Sequence, residues 1–169
     1  MTETTNTGNK RDLVVTRVFN APLALVWQAW SDPDYVMQWW GPAGFTCPVA
    51  KMDFREGGTS LVCMRAPQEV GGQDLFNTWT YEQIVPLQRF VYILRFADQD
   101  GNLMDPVQQG LPPDMPREVR NELTFKELGK EQTQVTVTEY DWTVGQLMEQ
   151  SKLGLNQCLD KMAACFARA

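Results

Sequence analysis

The chain contains no histidine. That absence excludes a Ser-His-Asp or Cys-His catalytic arrangement, the H-E-x-x-H zinc motif and an imidazole pH switch. Any chemistry must fall to carboxylates, Arg, Lys, Tyr, Ser, Thr, Cys or the groups of a ligand. A basic surplus is lacking too: 21 acids against 15 bases leave a formal net charge of -6. The longest basic run is Lys10-Arg11. Phosphate backbones reward clustered positive charge, so no nucleic-acid partner is expected. Cysteines are few, at Cys47, Cys63, Cys158 and Cys165, and none form C-x-x-C. Cys158 and Cys165 fall two helical turns apart, roughly 10 Å along the axis, beyond the reach of a disulfide. Cys47 and Cys63 can meet across strands, but four buried thiols in a reducing compartment are the expectation. No stretch approaches the roughly 18 apolar residues of a membrane span. Met1 to Asn9 is polar and Thr-rich, with no apolar segment of the signal-peptide kind. Residues 1–10 are therefore expected as a disordered tail, residues 11–169 as one domain, and the protein as cytoplasmic. No cofactor and no metal are implied.

What is present reads as a full core. Apolar residues make up 43% and aromatics 11%, a globular composition. Leu13 to Phe19 is β-branched and reads as a first strand. Pro22 suits the first turn of a helix, and Leu23, Val26, Trp27 and Trp30 then fall on one helical face. A second short helix is expected from Pro33 to about Trp39. Strands follow at 45–54, 59–65, 74–85, 89–97, 117–128 and 131–142, punctuated by Gly- and Pro-bearing turns. Val119, Asn121, Leu123 and Phe125 alternate with Arg120, Glu122, Thr124 and Lys126, the pattern of an antiparallel strand with one wet face. Thr143 with Gln146 reads as a capping box opening a long helix. Its stripe is Val144, Leu147, Met148, Ser151, Leu155, Cys158, Leu159, Met162 and Phe166, with Leu153 on the opposite face. A sheet with one apolar face must be covered, and the long helix alone is large enough. The expected α+β architecture is a curved antiparallel sheet wrapped around a long C-terminal helix, with two short helices after the first strand. Such a wrap leaves room for a cavity.

Several segments together resemble the activator of heat-shock protein 90 ATPase homologue-like family of the START-like (SRPBCC) superfamily. They are Val18-Phe19-Asn20-Ala21-Pro22, Val26-Trp27-Gln28-Ala29-Trp30, Trp39-Trp40-Gly41-Pro42 and Met52-Asp53-Phe54-Arg55-Glu56-Gly57-Gly58. Ile84 to Val91 and Leu123-Thr124-Phe125 complete the set, so the resemblance runs from about Val14 to Phe166. It implies the helix-grip fold. Two departures stand out. Gly154-Leu155 occupies the place of the family's Gly-Trp pair, which implies a cavity without that indole. Asp98 to Pro116 is a long, Pro-rich insertion. The chaperone co-activator itself carries a second, larger domain that binds the chaperone, for which this sequence is expected to have no room. Fold is thus implied more firmly than function.

Candidate cavity residues are Trp40, Trp79, Tyr81, Tyr92, Asn121, Leu123, Met148, Ser151 and Leu155. Trp39 and Trp40 cannot share a face of a short helix, so one of them is free to face a cavity. Ser151 is the polar position on the helix stripe. Arg17, Glu82, Arg95 and Glu139 are strand-borne charges that could enter the cavity, although such charges usually sit on the wet face. Asp53 and Arg55 read as a surface pair beside a turn. Asp98 to Asn102 resembles the start of a calcium loop, but Leu103 and Gln109 stand where Gly and Glu are required. Long loops often act as lids, which makes Leu103, Met104, Leu111 and Met115 candidate lid residues.

No catalytic residue is assigned. The favoured function is binding of a small apolar or amphipathic molecule, since pockets are mostly apolar with few polar anchors. A cyclase- or dehydratase-type enzyme using the same cavity is the alternative, and a chaperone-linked or regulatory interaction protein, or a homodimer, is a third reading.

Overall fold

A computed structural model describes residues 9–168. Most of the expected N-terminal tail lies outside the described residues; Lys10 belongs to the first strand, where it faces Thr143. Strand β1 is Lys10–Phe19, and helices α1 (Leu23–Ala29) and α2 (Pro33–Trp39) follow it. Pro22 caps α1, and the Asp32 side chain caps α2 by accepting from the Asp34 N–H. Then come β2 (Thr46–Lys51), β3 (Thr59–Arg65), β4 (Asp74–Val85), β5 (Arg89–Ala97), β6 (Glu118–Gly129), β7 (Gln132–Thr143) and α3 (Gln146–Ala167). The seven strands form one antiparallel sheet in the order β1-β7-β6-β5-β4-β3-β2. This is the sheet wrapped around a long helix that the order of elements implied, and the helix-grip fold that the resemblance implied.

The capping box does not form. β7 runs on to Thr143, which pairs with Lys10, and Val144 N–H donates to Asn9 O. Thr143 is therefore a strand residue, and α3 starts from Gly145 with no side-chain cap. The insertion after β5 is not structureless. Leu103 bridges back to Ala97, Asp105 caps a single 3-10 turn at Pro106–Gln109, and Gln109 Nε2 donates to Phe76 O and Ala97 O.

Alternation along the strands aims one set of side chains at α3. On β6 these are Val119, Asn121, Leu123 and Phe125, all buried. One end of the enclosed space is filled with rings. Trp27 of α1 packs edge-on against Phe54, Phe90 and Phe125 at 4.9–5.6 Å between centroids. Trp30 sits against Trp39, whose Nε1–H donates to Ala29 O at 2.7 Å.

Helix α3 is anchored mainly by its C-terminal half. Cys158, Leu159, Met162, Cys165 and Phe166 are its buried residues, and Phe166 meets Phe19 edge-on. Arg17 of β1 donates to Asp160 and Asn156. On the other flank, Lys161 Nζ donates to Gly41 O and Phe45 O, and Ala43 N–H donates to Gln157. Gly41 has φ 105°, and a Cβ there would stand 3.0 Å from Phe45 Cβ, so this turn needs glycine. The N-terminal half of α3 carries Met148, Ser151 and Leu155, all only half-buried, while Leu153 points outward at 59% exposure.

Candidate functional site: a cavity with one carboxyl

Under the N-terminal half of α3 lies a cavity of about 170 Å³. Its floor is a stripe across four strands: Asn77 of β4, Leu94 and Phe96 of β5, Val119 and Asn121 of β6, and Glu139 and Trp142 of β7. Ser151, Leu155 and Cys158 of α3 roof it, and Trp40, Met64 and Met115 complete the wall. Most of these groups are apolar, and none is Lys or Arg.

Glu139 is the one ionisable carboxyl among the lining residues, and a bulge explains its neighbourhood. Residues three apart on a regular strand point to opposite faces. Here Leu13 faces Glu139 but Arg11 faces Trp142, so β7 carries one extra residue. Asp141 takes φ 61° within that bulge. Bulges of this kind re-aim side chains, and this one turns Trp142 onto the same face as Glu139. Trp142 Nε1–H then donates to Glu139 Oε1 at 3.0 Å. No other hydrogen bond or ion pair reaches the Glu139 carboxyl among the described residues. Withheld water raises its pKa to about 7, and the Trp142 hydrogen bond pulls partly the other way. Asn121 is the register partner of Glu139 on β6. Its Nδ2 donates to Val119 O at 3.0 Å. Trp40 Nε1 is buried with no partner among the described residues.

The other strand-borne charges sit elsewhere. Arg17 pairs with Asp160, Arg120 with Glu82, Arg95 with Glu118, and Asp53 with Arg55 beside its turn. All four cysteines are free and buried. Burial raises the Cys63 and Cys158 thiols to about 11. No group of three or more metal-ligating side chains occurs among the described residues.

Of the residues singled out from sequence, Trp40, Asn121, Ser151 and Leu155 line the cavity together. Trp79, Tyr81, Tyr92, Leu123 and Met148 do not; the structure places them in the packed cluster beside it. Trp79 is fully buried between Trp40 and Tyr92, with centroids 5.0 Å from each. The Tyr81 hydroxyl is paired with Ser60 Oγ at 2.8 Å. Among the loop residues, Met115 lines the cavity, Leu111 is half-buried outside it, and Leu103 is 65% exposed. Met104 is held against the strand edge, its N–H donating to Phe96 O. Leu103 and Met104 therefore border a surface depression, with Arg95, Arg117 and Glu118, and not the cavity.

Sequence reasoning passed over Met64, Asn77, Leu94, Phe96, Val119, Trp142 and Cys158 as lining residues. Alternation could have found four of them, and the helix stripe a fifth. Asn77 stands two before Trp79, Val119 two before Asn121, Leu94 and Phe96 continue from Tyr92, and Cys158 shares the helix stripe with Ser151 and Leu155. Trp142 carried no signal, because its orientation depends on the bulge.

No match was found among curated proteins. Solved structures with the same fold include a protein from Chromobacterium violaceum, 26% identical, with a TM-score of 0.72 over 92% of this chain and 96% of that one. A protein from Arthrobacter aurescens gives a TM-score of 0.76 at 18% identity, over 94% and 87% of the two chains. One from Silicibacter pomeroyi, which carries the family's name, gives 0.72 at 19% identity over 93% and 98%. At these identities the last two speak for the fold alone. The family described as activator of Hsp90 ATPase homolog 1-like protein matches residues 20–167. That match spans most of the sequence and includes the cavity-lining residues, and the chain belongs to this family.

Proposed function

We propose that this protein binds a small, mostly apolar molecule in the cavity beneath α3. One observation carries the reading: a half-open space of about 170 Å³ remains between α3 and the sheet, beside the ring-filled core. A buried apolar cavity of about 150 Å³ accepts benzene in another protein, so a one-ring ligand is the right scale. Leu155 supports it, because a smaller side chain stands where the resemblance implies an indole. The four free thiols support a reducing compartment, in keeping with a cytoplasmic location.

A thermal-shift panel of one-ring compounds tests the reading, with Leu155→Trp as control. Some member is expected to stabilise the wild type and to lose its effect when the indole fills the space. Failure of every compound, or equal stabilisation of both proteins, would reject it.

Glu139 favours a second reading, an acid–base enzyme of the cyclase or dehydratase kind. A carboxyl with its pKa near 7 is matched to proton transfer at neutral pH. That reading requires turnover of a cavity ligand, abolished by Glu139→Gln.

A further inference from the structure

Deepening the ligand-binding reading, and resting on it, we propose that the cavity selects a small apolar molecule bearing a protonated amine, held by the Glu139 carboxylate and the Asn121 amide oxygen.

The polar groups of the cavity are unequal in kind. Glu139 uses Oε1 to accept from Trp142, which leaves Oε2 without a hydrogen bond among the described residues. Asn121 commits Nδ2 to Val119 O, which leaves its carbonyl oxygen as the group still to be satisfied. The two residues are direct register partners on β6 and β7. Their side chains therefore stand side by side on the cavity face. Ser151 adds a hydroxyl from the helix above. An ammonium carries three donors and no acceptor, so it matches two adjacent acceptor oxygens and a hydroxyl.

Charge points the same way. A carboxyl in an apolar cavity either keeps its proton or needs a counter-charge when it ionises, and none is supplied among the described residues. The nearby cations are spent: Lys161 on Gly41 O and Phe45 O, Arg17 on Asp160, Arg95 on Glu118. The groups facing Glu139 are Trp142 on β7, Asn121 on β6, Tyr92 on β5, and Ser151 and Cys158 on α3. Burial raises the pKa of Tyr92 and of Cys158, so both stay neutral at neutral pH. Glu139 is thus the one group in this set that becomes charged as pH rises past about 7, and an anionic ligand would then meet repulsion with nothing in the set to offset it. The remaining wall, with Leu94, Phe96, Val119 and Leu155, suits a ring or short alkyl body.

The test compares benzylamine with benzyl alcohol by calorimetry on the full chain, wild type and Glu139→Gln. At pH 8 the wild type is expected to hold the amine on the order of ten- to a hundredfold more tightly, the range for a hydrogen bond to a charged group. Glu139→Gln should bring the two affinities to near parity. Saturating benzylamine should also move the midpoint of the Glu139 carboxyl ¹³C titration downward in the wild type, a readout that needs no variant. Parity in the wild type, a preference that survives Glu139→Gln, or an unmoved titration overturns the amine while leaving the cavity reading intact. No binding of either compound overturns the amine, and overturns the cavity reading as well when the whole one-ring panel also fails.

Discussion

Replacing Glu139 by Gln should stabilise the protein, and only above about pH 4.5. The Glu139 carboxyl is raised from 4.5 to about 7, chiefly because the cavity withholds water from its charged form. Between those values the native chain holds the proton more tightly than the unfolded chain does. Stability is therefore unpenalised below about pH 4.5, falls as pH rises toward about 7, and is flat above it. At about 1.4 kcal/mol per pH unit, the full penalty is about 3 kcal/mol. Partial access of water to the cavity reduces this, so about 1–3 kcal/mol is the working range. Gln keeps the shape, and its amide oxygen still accepts from Trp142. Urea denaturation followed by tryptophan fluorescence, at pH 8 and pH 4, measures the difference. Glu139→Gln should exceed the wild type by about 1–3 kcal/mol at pH 8 and match it at pH 4. A variant less stable at pH 8, or a difference unchanged with pH, would show that the carboxyl is not held in a dry cavity.

Asp141→Val places a β-branched residue at φ 61° and should cost about 1–3 kcal/mol in thermal denaturation. It should also raise the Glu139 midpoint further, by loosening the bulge that aims Trp142; Asp141→Gly, which tolerates the angle, should do neither. Lys161→Met leaves the Gly41 and Phe45 carbonyls without their donor. A loss of about 1–3 kcal/mol in urea denaturation is expected, and a loss below about 0.5 would show that water replaces the ammonium freely.

The fold was legible because its signals are periodic. Alternation on Val119, Asn121, Leu123 and Phe125 and the stripe from Val144 to Phe166 each depend on local spacing, and both match the observed burial except at Val144, which precedes α3 and is exposed. Pro22 and Pro33 marked two helix starts for reasons of backbone geometry alone. Thr143-x-x-Gln146 misled, because pairing with Lys10 across the sheet holds Thr143 in β7 and outweighs a local cap. The cavity was harder to read. Alternation tells which face Trp79, Tyr81 and Leu123 take, but not how far along the sheet the rings of α1 fill the space. Trp27 closes the end near Phe90 and Phe125, and the region beneath Ser151 and Leu155 stays open. Glu139 lay on the cavity face by the same alternation, yet a charge on a half-buried strand usually points to water. The residue that secures it, Trp142, reaches that face through a one-residue bulge that no spacing rule announces.

Chemical-shift mapping of the ¹⁵N-labelled chain with toluene addresses the cavity most directly. We expect saturable shifts confined to Asn77, Val119, Asn121, Glu139, Trp142, Ser151 and Leu155, and absent from Leu155→Trp. Shifts gathered instead at the exposed Asp98–Gln109 surface, or none at millimolar toluene, would contradict a ligand cavity beneath α3.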